Sequence, residues 1–285
     1  MSGRIWQRRC LLRRSCVYLP ATRSNESDVR TVAYEHGRTR RLQRKPSAMP
    51  SPAQQNRLLA ALSAADWKRW SQRVEAVELA LAQELQPPGV PAAYAYFPTT
   101  AVVSLRQRKG SGWAEAALVG REGIVGLPIF MGGESAPGLA VVRAAGAAVR
   151  LDAEWLRAEC KTNASALPIL LRYAQALMAQ VAQTSICNRH HALGQQLCRR
   201  LLLLLDRVDG NRLELTHQQF AEMLGVRRSG ITECALRLQE LGLIRYARGH
   251  VTVLDRRSLE GRSCECYRIV EQEYERLLPS LAVCT

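Results

Sequence analysis

Apolar and polar positions over 215–253 follow a spacing that changes twice along the segment. Phe220, Ala221 and Leu224 form one stripe at helical spacing, which predicts a short helix over 218–224. Thr216 and Gln219 stand at capping-box spacing, with Thr216 as the N-cap. Gly225 follows and suits the left-handed position after a helix. Ile231, Ala235, Leu238 and Leu241 then recur at helical offsets and predict a second helix with a buried face. Gly242 ends it, and Leu243 and Ile244 are expected in the core beyond. Arg248-Gly249-His250 separates Ile244-Arg245-Tyr246 from Val251-Thr252-Val253 and predicts a hairpin turn. Helix, tight turn, helix and hairpin is the order of a winged helix-turn-helix, which sets its second helix in the DNA major groove.

The buried stripe fixes what points outward. Arg227, Arg228, Ser229, Thr232, Glu233 and Arg237 fall at the start or on the free side of the second helix. An early arginine can grip guanine in bidentate fashion, and a glutamate can accept from the cytosine amino group. Arg237 is better placed for a phosphate. Thr216 and Gln218 at the first helix and Arg248 in the hairpin turn complete the expected contact set. The plainer alternative is a solvated charged face, which most amphipathic helices possess.

Upstream, 56–62 and 65–73 predict two short helices, the second holding Trp67 and Trp70. Short apolar segments broken by Gly and Pro follow, and 94–105, 113–119, 123–130 and 139–151 read as strands. Several short strands with turns predict a β-roll or jelly roll. A helix begins after Leu151. The segment 165–189 carries Leu170, Ala174, Leu177, Val181, Thr184 and Asn188 at alternating spacings of four and three, a coiled-coil-like seam. Such a face either pairs two copies of the chain or packs on the β-roll. A further helix over 191–208 has Leu193, Leu197 and 201–205 as core, and 264–278 predicts a last helix. The fold class is α+β: an N-terminal β-roll over 49–164, a long dimerisation helix over 165–189, and a C-terminal winged helix-turn-helix over 190–285.

The 285 residues carry a net charge of +15, which favours a polyanionic partner. That charge is uneven: residues 1–48 hold 12 Lys/Arg against 3 Asp/Glu. This stretch has no apolar run fit for a secretory signal and no sustained period. It is expected to be a disordered basic extension or a start-site artefact ahead of Met49. No apolar run is long enough for a membrane span.

The segment Thr216-His217-Gln218-Gln219-Phe220-Ala221, Leu224-Gly225-Val226, Arg228, Ile231 and 238–244 resembles the DNA-binding domain of the Crp/Fnr transcription factors. In that family the second helix often opens Ser-Arg and runs Arg-Glu-Thr-Val-x-Arg. Here Arg227 stands for the serine, Ser229 for the glutamate and Glu233 for the second arginine. The motif class carries over, but the usual operator does not. Residues 96–105 and Gly123-Ile124-Val125-Gly126-Leu127-Pro128 resemble the family's cyclic-nucleotide-binding β-roll. The glutamate such a site needs is Leu127, and its Arg and Ser positions are Gly138 and Leu139. An apolar pocket of Gly126, Leu127, Gly138 and Leu139 would leave a buried phosphate unpaired, so no cyclic-nucleotide binding is expected. The resemblance implies a homodimer on a palindromic operator in the cytoplasm of a bacterium. Its expected partners are double-stranded DNA, a second copy, an unidentified small-molecule effector and RNA polymerase.

Nine cysteines raise a metal or redox alternative. No Cys-x-x-Cys pair exists, and Cys10 and Cys16 alone cannot hold an N-terminal iron–sulfur cluster. On a helix, Cys264 and Cys266 would point apart by about 200° and not share an ion. Cys187 lies near His190 and His191, but histidines in a polar hinge are more often solvated. No metal and no cofactor is therefore expected, and free cysteines suit a reducing compartment. An enzyme or cupin-like binder with an accessory DNA module is the remaining rival. No histidine occurs between Asn56 and Cys160, and Glu115, Glu122 and Glu134 are scattered without paired spacing.

Overall fold

The structure, a computed structural model, describes residues 52–110, 112–163 and 165–278. The expectation for residues 1–48 lies outside these, as do Cys10, Cys16 and Cys284. A 3-10 turn, Pro52–Gln55, leads into α1 (Arg57–Ala60) and α2 (Ala64–Trp70). Asn56 caps α1 through Leu58 N–H, and its buried amide also donates to the carbonyls of Pro98 and Gly123. Trp70 is fully buried, edge-on to Phe97 and Trp155.

Seven strands then make two antiparallel sheets. They are β1 (Glu75–Leu79), β2 (Glu84–Gln86), β3 (Tyr94–Pro98), β4 (Val102–Lys109), β5 (Gly112–Val119), β6 (Leu139–Ala144) and β7 (Gly146–Asp152). One sheet has the order β1-β7-β3 and the other β2-β6-β4-β5. Two corrections to the sequence expectation arise. The runs 94–105 and 139–151 are each two strands, because the chain turns from one sheet to the other. The corner is held by the backbone N–H groups of Thr99, Thr100 and Ala101, which converge on the Ala147 carbonyl. Thr100 Oγ1 accepts from Ala147 N–H at 2.8 Å. The run 123–130 is not a strand. It makes one bridge, Tyr96 to Val125, and then α3 (Pro128–Met131), opened by Pro128.

A ten-residue helix, α4 (Ala153–Thr162), capped by Asp152, leads to the long α5 (Leu167–His190). The chain breaks at His191, and α6 (Leu193–Leu205) follows, buried along most of its length. The C-terminal part contains β8 (Arg212–Glu214), α7 (His217–Leu224), α8 (Arg228–Glu240), β9 (Ile244–Ala247), β10 (His250–Val253), α9 (Arg256–Arg262) and α10 (Cys266–Leu277). Its sheet has the order β8-β10-β9. Neither β8 nor α9 stands out in the sequence, since each is too short to show a period. Helix α10 packs along α5, and α7 packs against β5 of the roll.

Buried ion pairs join the roll to the C-terminal part. Glu115 on β5 pairs with Arg200 on α6, both essentially inaccessible, and Ser104 Oγ donates to Glu115 Oε2 at 2.6 Å. Glu122 accepts from Arg207 Nε at 2.8 Å. Gln180 of α5 bonds both backbone groups of Leu118 and the Tyr274 hydroxyl of α10. Of the carboxylates that look scattered in the sequence, Glu115 and Glu122 are thus ion-paired across the fold, while Glu134 is exposed.

Candidate nucleic-acid interface and effector pocket

The first helix of the C-terminal motif starts as its sequence dictates. Thr216 Oγ1 accepts from Gln219 N–H at 3.2 Å, and Gln219 Oε1 accepts from Thr216 N–H at 2.9 Å. Gly225 closes α7 in the left-handed conformation, with φ 67°. Helix α8 buries Ile231, Ala235 and Leu238, whereas Leu241, expected on the same face, is the C-cap residue and is exposed because the helix ends at Glu240. Gly230 lies close to α6, where an added Cβ would meet Leu193 Cδ2 at 2.9 Å. That approach explains a glycine inside a helix, where it costs about 1 kcal/mol against alanine.

Arg227, Arg228, Ser229, Glu233 and Arg237 are all exposed on α8. Arg227 occupies the N-cap position and makes no side-chain cap, so the helix opens with an arginine side chain free of that duty. The first-turn N–H groups of a helix, with the dipole behind them, favour an anion. Glu233 and Arg237 bond each other at 2.6 Å while remaining about two-thirds exposed. An exposed pair of this kind is worth less than about 1 kcal/mol and opens readily to a ligand. Thr232 sits differently from the sequence expectation. Its hydroxyl lies 3.0 Å from His217 Nδ1 and donates to the Arg228 carbonyl, so it braces the two helices. The His217 ring stacks on Tyr246 with centroids 4.1 Å apart. Burial, and then the Arg228 charge, hold its pKa below the ordinary histidine value. Gln218 is exposed and bonds Glu222.

The hairpin turn is tighter than the sequence suggests. It has two residues, Arg248 and Gly249, with φ 49° and 80°, and His250 already pairs with Ala247 in the ladder. Positive φ at both central positions matches the twist of the flanking strands. Arg248 is exposed at the tip.

The six seam positions of α5 divide. Leu170, Ala174, Leu177 and Thr184 are buried inside the protomer, while Val181 and Asn188 are exposed. This corrects the expectation that all six form one surface for a second copy. The side of α5 that faces outward carries Leu171, Met178, Val181 and Ile186, with Met178 65% exposed. Both sides of this helix are apolar, so heptad spacing alone could not assign them.

Gly126, Leu127, Gly138 and Leu139 do come together. They line a cavity of about 340 Å³ bounded by β4, β6, α3 and Leu177 of α5. Its lining is not wholly apolar: Arg106 and Gln107 of β4 also reach it. Arg106 Nε donates to Ser104 Oγ at 3.3 Å. At Gly138 the backbone of Arg106 approaches within 2.7 Å of where a Cβ would stand.

One group of metal-ligating side chains forms where α5 ends. Cys187, His191, Cys264 and Cys266 bring their ligand atoms within 4.8 Å of one another. The sequence argument against Cys264 and Cys266 sharing an ion fails because α10 begins at Cys266. Cys264 lies in the link before the helix, where the 100° per residue rule does not apply.

Residues 195–262 match the family model for a Crp-like helix-turn-helix domain. The fold is also that of solved transcription factors. A crp/fnr-family protein from Eubacterium rectale aligns with a TM-score of 0.58 at 17% identity, over 72% of this chain and 96% of that one. FixK2 from Bradyrhizobium japonicum aligns with a TM-score of 0.57 at 14% identity, over 67% and 98%. A CRP-family transcriptional regulator from Thermus thermophilus gives 0.56 at 18% identity, over 66% and 96%. No curated protein sequence matches the chain. The class is therefore a β-roll joined by a long helix to a winged helix-turn-helix. Within that class the chain carries a Crp-like helix-turn-helix domain, on a fold it shares with solved Crp/Fnr-family proteins. Among the described residues, no helix is long and apolar enough to cross a membrane.

Proposed function

We propose that this protein is a dimeric transcription regulator that reads a palindromic operator through α8. The observation that carries the reading is the free outer side of α8, with Arg227, Arg228, Ser229, Glu233 and Arg237 exposed while Ile231, Ala235 and Leu238 anchor the other side. The Crp-like domain match supports the same reading. Arg228 reads a base edge, Arg237 takes a phosphate once released from Glu233, and Arg248 follows the backbone from the wing. Thr216 and Thr232 set the geometry of the pair of helices. The second copy docks on Leu171, Met178, Val181 and Ile186 of α5, which places two copies of α8 about one DNA turn, roughly 34 Å, apart. Such a reader works in the cytoplasm and acts on RNA polymerase rather than on a substrate.

The cavity beside Leu177 takes a small, largely apolar effector and not a cyclic nucleotide. Leu127 and Leu139 cannot pair with a ribose hydroxyl or a phosphate, and the one cation among the described residues of the lining, Arg106, is bonded to Ser104 Oγ through Nε rather than standing at either position. Occupancy acts on α5 directly through Leu177, and on α7 through the β4–β5 sheet. Titration with cyclic AMP and cyclic GMP is expected to show no binding at micromolar concentration, and saturable binding there would overturn this part.

Selection of bound fragments from random DNA tests the main reading. The expected product is an inverted repeat with half-sites one turn apart. Enrichment of no sequence would sink the proposal. Arg228→Ala is expected to lower specific affinity by about 1–3 kcal/mol and relax preference at one base pair of each half-site.

A further inference from the structure

The cluster at the end of α5 has the dimensions of a metal polyhedron. Cys187 and His191 are four residues apart at the end of one helix and so stand on one side of it. Cys264 and Cys266 arrive from the link between α9 and α10. Cys187 Sγ lies 3.5 Å from Cys264 Sγ, and Cys266 Sγ lies 3.5 Å from His191 Nδ1. A tetrahedral zinc site with bonds of about 2.3 Å to sulfur and 2.0–2.1 Å to nitrogen has S···S edges near 3.8 Å and S···N edges near 3.5 Å. A disulfide requires about 2.05 Å, so the Cys187–Cys264 separation is that of an edge and not of a bond. All four ligand atoms lie within 4.8 Å of one another, so closing on one ion draws the widest pair together by about 1 Å.

The surroundings are built for it. His191 turns Nδ1 toward the thiols, while its Nε2 lies 3.1 Å from Glu265 Oε1. A carboxylate on the outer ring nitrogen fixes the tautomer that leaves the inner nitrogen free to ligate. Gln183 Nε2 donates to Cys266 Sγ at 3.3 Å. The three cysteines are almost fully buried.

Charge balance gives a second, independent indication. Arg199 of α6 is 2% exposed, and its guanidinium bonds Thr184 Oγ1 while Nε has no partner. Among the described residues no carboxylate pairs with it. Burial and then Arg200 pull its pKa down to about 10, and the opposing influence comes from Cys187, Cys266 and Cys264. Three thiolates and a neutral imidazole around a divalent cation carry a net charge of −1, the complement this buried cation otherwise lacks.

We propose that Cys187, His191, Cys264 and Cys266 bind one zinc-class ion in a closed Cys3His site that ties the C-terminal domain to the long helix. Four protein ligands leave no open position, so the ion is a structural tie and not a catalyst. It joins α5 to the α9–α10 link, and so α5 to the domain that carries α8. Metal withdrawal then loosens that joint. This goes beyond the DNA-binding reading, and its measurement needs no DNA.

The full chain, chelated and fully reduced, is titrated with Co²⁺. The expected result is one equivalent bound, with thiolate-to-cobalt charge-transfer bands, intense tetrahedral d–d bands, and displacement by Zn²⁺. Cys264→Ser and Cys266→Ser are expected to lose these bands, and Cys160→Ser and Cys198→Ser to retain them. Glu265→Gln is expected to keep the site with about 10- to 100-fold weaker affinity. The wild-type titration stands whether or not the serine variants fold. Absence of stoichiometric uptake by the reduced wild-type chain overturns the proposal. Unchanged bands in the Cys264→Ser/Cys266→Ser double variant do so too, as does a Cys187–Cys264 disulfide in protein alkylated at isolation.

Discussion

Leu177 and Met178 are chain neighbours on α5 whose substitutions are expected to have opposite consequences. Leu177 is 5% exposed and packs within the protomer's core, where it also borders the cavity. Truncation to alanine removes its burial and leaves a void, which costs about 2–5 kcal/mol of folding stability. For a domain of this size that lowers Tm by about 2–4 °C for each kcal/mol. Met178 is 65% exposed, and its truncation leaves the isolated protomer within about 0.5 kcal/mol of wild type. Its value lies in the dimer. Full burial of a methionine is worth about 1.5–3 kcal/mol, so covering its exposed two-thirds contributes about 1–2 kcal/mol per protomer. Loss from both copies weakens association by about 2–4 kcal/mol, roughly 30- to 700-fold. Met178→Glu adds like-charge repulsion across the symmetry axis. Sedimentation equilibrium over a concentration series gives the dimer constant, and thermal melting gives the stability. A Met178→Glu protein that dimerises like wild type would refute the assignment of the outer side of α5. So would a Leu177→Ala protein of unchanged Tm.

Two further expectations follow from the same structure. Glu115→Ala strands the Arg200 guanidinium in a site only 1% exposed and is expected to cost about 3–5 kcal/mol, whereas replacing both with apolar residues of similar volume restores most of it. Chemical denaturation of the single and double variants measures the coupling, and additive effects would contradict a buried pair. His217 has a folded pKa depressed below its ordinary 6.5, so its contribution is whole above that value and declines as pH falls through the folded pKa. The melting temperature is therefore expected to drop as the pH falls below about 6.5, and His217→Gln to flatten that slope; an equal slope in the variant would remove His217 as the cause.

Much of the C-terminal motif is legible because its signals are local. The Thr216–Gln219 cap, the left-handed Gly225 and the Ile231, Ala235, Leu238 stripe act over one to three helical turns, where backbone geometry fixes which side chains meet. The outer side of α8 follows by subtraction. The β-roll is partly legible: its strands appear as apolar runs, but the corners at Thr99–Ala101 and Gly146 are set by backbone bonds to the other sheet. That is why 94–105 and 139–151 look continuous in the sequence, and why 123–130, apolar from burial, resembles a strand.

The chain's own order of residues thus determined the helix-turn-helix, its caps and the side chains it can offer to DNA, since each depends on neighbours a few positions away. Only tertiary packing decided which apolar side of α5 is spent inside the protomer. Packing alone also set Glu115 against Arg200 and gathered Cys187, His191, Cys264 and Cys266 within 4.8 Å. These approaches span from 73 to 85 positions of chain for the cross-element pairs, and over such separations hydrophobic burial chooses the partner while spacing along the sequence carries no trace of it.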